Sequence, residues 1–213
     1  MADVEENFLC PLRGESGLRF AEAAGRLLPY LRGLSGRKLE LAVGPAVSTD
    51  TTTIVVPPEL SLFQEEADNF FLYKLIVSFQ WAFIAQSTLT VSPRHEGNDP
   101  HGEELWLQGF LRSFSCPDLA QDLYHLLETA RIRRFLDQEL PGLMRRMRQL
   151  AARLEPFPAA GARKSRGMAA LRDLLLHGEG GNFCPDSLRV CLPIVENHRQ
   201  AGSADDSIRA TLA

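Results

Sequence analysis

The sequence predicts a mainly α fold, a multi-helix domain with a small two-stranded β element near the N-terminus. Three observations predict it. Apolar residues recur at helical spacing over most of the chain, a run at 69–89 is apolar on nearly every side, and β-type patterning is confined to 39–56. The 213 residues, 45% of them hydrophobic, can bury one core of useful size or two smaller ones.

The first helical pattern opens near Ser16 and carries Leu18, Ala21, Leu27, Leu28 and Leu31, with Arg19, Glu22 and Arg26 between them. Glycines at 33 and 36 end it. Residues 39–43 then alternate, and 52–56 are β-branched, so they read as two strands joined across 44–50, a hairpin at about 38–56. Pro57 and Pro58 stop the second strand, because proline donates nothing to a ladder. Glu65, Glu66 and Asp68 place acids at the positive end of the next helix, whose apolar run includes Phe70, Phe71, Tyr73, Phe79 and Phe83. A loop is expected over 92–102 and holds His95 and His101. A short helix follows over 103–114. Pro117 suits the first turn of a helix whose stripe of Leu119, Leu123, Leu126, Leu127 and Ala130 should face the core. Pro141 and Gly142 interrupt it, and 143–154 resume an arginine-rich helix. Residues 156–167 read as a linker or loop. Helices are expected over 168–177, 186–199 (shortened or kinked by Pro193) and from Asp205 onward. The organisation expected is a helical core domain over 1–155, the linker, and C-terminal helices over 168–213. The last helix begins without a terminating signal, which suits a boundary before a further domain.

Composition narrows the function classes. No apolar stretch of about 18 residues lacks charge, so no membrane span is expected. The acidic start argues against a secretory leader. Cys10, Cys116, Cys184 and Cys191 form no CxxC pair and read as reduced thiols of a cytoplasmic protein. The net charge of -4 hides an uneven distribution: 131–166 holds ten Lys/Arg against three Asp/Glu. Arg131, Arg133, Arg134, Arg145, Arg146 and Arg148 are therefore candidates for a partner-binding surface, with a solvated helix face as the plain alternative. Few aromatics interleave with this arm, and the chain is acidic overall, which weighs against nucleic acid. P-loop, dinucleotide-binding, GxSxG and HExxH motifs are absent, and His125, beside Leu123 and Leu126, reads as a packed or surface histidine.

Two segments resemble one family. They are VSTDTTTIVVPP at 47–58 with EADNFFLYKLIVSFQ at 66–80, and LYHLLETARIR at 123–133 followed by Pro141 and Gly142. Both are similar to the N-terminal region of the CbbO/NorD family, which contains the Rubisco-activase adaptor and the nitric-oxide-reductase activation protein. The resemblance spans roughly 40–213. It implies a non-catalytic adaptor or scaffold module that docks on a hexameric MoxR-class AAA+ ATPase ring. Family members carry a von Willebrand factor A domain after this region, which is not in this chain and through which the target enzyme is recruited. Inhibited Rubisco is the expected target, with nitric oxide reductase the alternative; a degenerate metallohydrolase is a second alternative. Many relatives carry a His-x-x-x-His pair and a nearby acid where this chain has Phe79, Phe83 and Ala85. Phenyl rings cannot ligate a metal, so no metal and no cofactor are expected, and the two rings should fill the core. Glu128 would then make an exposed i,i+3 pair with Arg131, worth at most about half a kcal/mol.

Overall fold

A computed structural model of the chain describes residues 17–89, 100–153 and 197–212, with backbone alone over 100–105. The fold is mainly α. In chain order the described elements are β1 (Leu18–Arg19), α1 (Phe20–Ser35), β2 (Glu40–Val43), β3 (Ser48–Thr49), β4 (Thr53–Val56), β5 (Glu59–Leu60), α2 (Glu66–Ala85), α3 (Pro100–Arg112), α4 (Pro117–Glu139), α5 (Pro141–Ala151) and α6 (Ala204–Leu212). They group into two compact units, one taking the chain to Ala85 and again from Leu136, the other taking Gln86–Phe135 and the C-terminal part. The sequence expectation was one helical domain over 1–155 followed by a linker over 156–167. The division also crosses the chain directly after α2 and inside α4, between Phe135 and Leu136, where no loop or proline marks it.

In the first unit, α1 starts where the Glu22 carboxylate accepts the Arg19 amide proton at 3.2 Å. It buries Ala23, Leu27 and Leu31, one face at helical spacing. Gly36 ends it in the left-handed conformation, φ +62°, and donates its N–H to the Arg32 carbonyl at 3.1 Å. The expected strand pair is present but is not a hairpin: β2 and β4 run parallel, with Leu41 opposite Ile54 and Val43 opposite Val56. The hairpin is instead between β3 and β4, which pair antiparallel around Asp50. The Asp50 carboxylate accepts the Thr52 and Thr53 amides at 3.0 and 2.7 Å, and this short-range capture turns the chain before 52–56 can fold back on 39–43. β4 therefore sits centrally in the order β2-β4-β3, and β1 and β5 form a separate antiparallel pair. The core of this unit joins Leu18, Leu27, Leu31, Ile54, Val56, Leu60, Tyr73 and Val77. A smaller cluster of Phe63, Phe71, Leu143 and Leu150 packs α5 against α2.

In the second unit, Leu107 on α3, Tyr124 on α4, and Ala204 and Ile208 on α6 form the apolar cluster. Helix α3 already begins at Pro100, so His101 lies in a helix and not in the expected loop. Pro117 does open α4, and Pro141 opens α5 at its first position. Leu119 departs from its expected core stripe: it is 51% exposed, while Leu127 and Ala130 are buried. No helix among the described residues is long and apolar enough to cross a membrane. The expected linker, the helices over 168–177 and most of 186–199, Pro193, His95, His177, Cys10, Cys184 and Cys191 lie outside the described residues. Cys116 is a free, exposed thiol.

Candidate functional site

Among the described residues, the largest concentration of buried polar chemistry is in the second unit, around Glu128 on α4. A carboxylate and a guanidinium three residues apart on one helix face can reach each other, and here both are buried, Glu128 at 0% and Arg131 at 3% side-chain exposure. Arg131 donates to both oxygens of Glu128, at 2.8 Å from Nε and 2.7 Å from Nη2. It also donates to the Gln86 side chain at 3.1 Å and the Gln86 carbonyl at 3.0 Å. Thr88 Oγ1 donates to Glu128 at 2.6 Å, and the Tyr124 hydroxyl donates to the Thr88 carbonyl at 2.8 Å. From α6, Ser207 Oγ donates to Glu128 Oε1, the oxygen that also accepts from Arg131 Nε. Burial alone would raise the Glu128 carboxyl. The bonds and charge of Arg131, with Ser207 and Thr88, outweigh it and hold the group ionised, below the usual carboxylate range.

His198 completes the cluster. Its Nε2 lies 2.8 Å from Ser207 Oγ. Because Ser207 gives its proton to Glu128, His198 Nε2 must be the donor to Ser207, which leaves Nδ1 as an acceptor. That Nδ1 is buried and has no hydrogen-bond partner among the described residues. Burial, and then the neighbouring Arg134 charge, push the imidazole down to about 4, so it is neutral at pH 7. Arg134 donates to the His198 carbonyl at 2.8 Å. A shallow cavity of about 310 Å³ lies beside this corner, lined by His198, Asn197, Gln200, Asp206 and Arg209.

The order of contacts excludes the usual nucleophile logic. A serine is activated when histidine accepts its proton; here Ser207 donates to a carboxylate. The cluster ties α4, α6 and the segment after α2 together through buried bonds.

The polar residues of the resemblance in the first unit also act as fasteners. Asn69, fully buried, accepts the Phe63 amide at 2.9 Å and donates to the Phe63 carbonyl at 2.8 Å. Tyr73, also buried, donates its hydroxyl to the Pro57 carbonyl at 2.9 Å, so it ties α2 to the end of β4. Burial raises its phenol well above the ordinary value.

The chain matches no family model, no curated protein and no solved structure.

Three sequence expectations change here. Phe79 and Phe83 are only partly buried and Ala85 is exposed, so the two rings are not core plugs: the fully buried face of α2 passes through Tyr73, Val77, Ser78 and Ala82. The Glu128–Arg131 pair is not exposed but is the most buried ion pair among the described residues. The arginine arm is not one surface. Arg131 is consumed by Glu128 and Arg134 is half-buried on the His198 carbonyl, both in the second unit with half-buried Arg133. Arg145, Arg146 and Arg148 belong to the first unit. There Arg146 pairs with Asp68 at 3.1 Å, Arg148 pairs with Asp137 at 2.6 Å, and Arg145 is exposed. His125 is exposed on α4. No group of three or more His, Cys, Asp and Glu side chains among the described residues is placed to hold a metal. Sequence reasoning missed Thr88, His198 and Ser207, because they lie 40 to 79 residues from Glu128 and Arg131 in sequence, with no spacing rule to link them.

Proposed function

We propose that the chain is an adaptor module of the CbbO/NorD kind, which docks on a MoxR-class AAA+ ATPase ring and couples it to remodelling of a target enzyme, inhibited Rubisco. One observation supports this reading beyond the resemblance. Asn69, Tyr73, Glu128 and Arg131, four polar residues of the resembling segments, are spent on internal bonds. Residues that a catalyst needs must face substrate; residues that a force-bearing module needs must lock its helices together. The bonds of Glu128 and Arg131 on α4 are buried and charge-assisted, the strong kind, and those of Asn69 and Tyr73 on α2 are buried and neutral.

In this reading the ring hydrolyses ATP, and the module binds, stays folded and transmits. Arg145 and Arg148, with Arg133, remain the proposed ring contacts, because their charges are at or near the surface. The test is co-purification of the chain with a MoxR-class ATPase hexamer in the presence of ATP, followed by reactivation of inhibitor-bound Rubisco by the full adaptor with its A domain. Stable association with reactivation is expected. Failure of the chain to associate at low salt would remove the adaptor reading. Association with reactivation of nitric oxide reductase alone would reassign the target.

A further inference from the structure

The first unit contains a cavity of about 510 Å³ between α1, α2 and the start of α5, walled by Tyr30, Phe70, Phe71, Lys74, Leu143 and Arg146 among others. Each of its three rings carries a cation of this chain on a face. Arg26 lies 3.9 Å from the Phe70 centroid, Lys74 4.4 Å from that of Tyr30, and Arg146 4.6 Å from that of Phe71. Aromatic pockets that bind cations present bare ring faces. Here the protein's own charges hold those faces, and a cationic ligand would meet repulsion.

An anion meets the opposite. The Lys74 ammonium stands on the Tyr30 ring, with no carboxylate among the described residues as its ion-pair partner. Arg146 shares Asp68 with Arg153, two guanidiniums on one carboxylate, which leaves positive charge on that wall. No side chain caps the first turn of α5, whose Gly142 is exposed at the same cavity; first-turn amides add positive potential. The remaining lining, Leu140 and Leu143 with the ring edges, is apolar. Glu139 also lines the cavity, and Glu66 holds Arg26 at 3.8 Å, so the field is local and far too small for a nucleic-acid backbone.

We infer that this cavity is a docking pocket for a peptide segment of a partner protein that presents a carboxylate beside a large apolar side chain. The carboxylate would lie by Lys74 and the α5 start, with the apolar group against Phe70, Phe71 and Leu143. The inference deepens the adaptor reading by naming the chemistry of a partner contact, and it can fail on its own.

Gly142 gives a clean variant. A Cβ added there meets nothing within 4 Å, and its φ is not positive, so a side chain can start from this exposed position without backbone strain. A first-turn acid favours the helix while placing a tethered carboxylate at the mouth of the cavity. The probe is a fluorescein-labelled hexapeptide, Glu-Leu-Asp-Phe-Glu-Leu, compared with Gln-Leu-Asn-Phe-Gln-Leu, by anisotropy on the full chain with amide-shift mapping. We expect the acidic peptide to bind at least tenfold tighter, with shifts at Lys74, Gly142 and Leu143. Lys74→Gln and Gly142→Glu should each weaken it at least tenfold, Gly142→Glu without loss of thermal stability. Equal binding of the two peptides, no binding of the acidic one, or unchanged affinity in stable Gly142→Glu overturns the inference. If the peptide fails while the chain still co-purifies with the ATPase ring, the pocket falls and the adaptor reading stands. If the peptide binds and the ring does not, the reverse holds.

Discussion

Removing the Arg131 guanidinium would leave the Glu128 carboxylate buried with only hydroxyl donors from Thr88 and Ser207. Breaking one side of a buried pair costs about 3–5 kcal/mol, whereas replacing both partners with apolar groups of similar volume is often neutral. Arg131→Met should therefore lower the urea midpoint sharply, and Glu128→Leu/Arg131→Met should recover at least half of that loss. Additive losses in the double variant would show that the pair is not the unit of stability. His198 supplies a pH test. Its proton is bound at about pH 6.5 in the unfolded chain and only near 4 in the folded one. The unfolded state thus binds more protons between these values, and stability falls as pH falls from about 6.5 to about 4, by up to roughly 3 kcal/mol. Glu128, whose folded carboxyl is shifted down, adds to the loss only at the acid end of this window. His198→Gln should flatten the dependence of the unfolding midpoint between pH 6.5 and 4.5. An unchanged slope would place the titration elsewhere.

At the scale of elements, two turns test the local reading. Gly36 has φ +62° with open space at its Cβ position, so Gly36→Ala should cost about 1 kcal/mol through backbone strain alone. Thr51 is a β-branched residue at φ +76° in the β3–β4 turn, and Thr51→Gly should relieve about 1 kcal/mol of strain in thermal unfolding. The helices were legible in the sequence because their signals are local: Gly36 after α1, Pro117 at the first position of α4, and acids at the start of α2; Gly33, read as part of the same stop, lies inside α1, and Pro141, read as an interruption, opens α5. Strand partners were not. The parallel pairing of β2 with β4 depends on Asp50 capturing the chain into a tighter β3–β4 turn, and alternation alone carries no direction. The start of α3 was misread for a similar reason, since Pro100 suits a first helical turn as well as it suits a loop.

For the whole molecule, composition marked a basic stretch but not its division between two units. The sequence shows charge along the chain, and burial decides which charge is available. Arg131 belongs to the interior, whereas Arg145 is exposed. Arg145→Glu should accordingly weaken association with the ATPase ring, with the difference from wild type shrinking as salt is raised from 50 to about 500 mM, the range over which screening shortens from beyond 10 Å toward 4 Å. A salt-independent effect, or none, would remove Arg145 as a contact in pull-down. The candidate site was half legible. Glu128 and Arg131 stood out by spacing, but their partners Thr88, Ser207 and His198 are brought in by tertiary packing.

The sharpest test of the account is co-sedimentation of the folded Glu128→Leu/Arg131→Met variant with the ATPase hexamer, beside the wild-type chain. If the polar cluster is a fastener, the variant sediments with the ring as the wild type does. A well-folded variant that stays in the supernatant while the wild type pellets would contradict the account, because the cluster would then act on the partner and not only on its own helices.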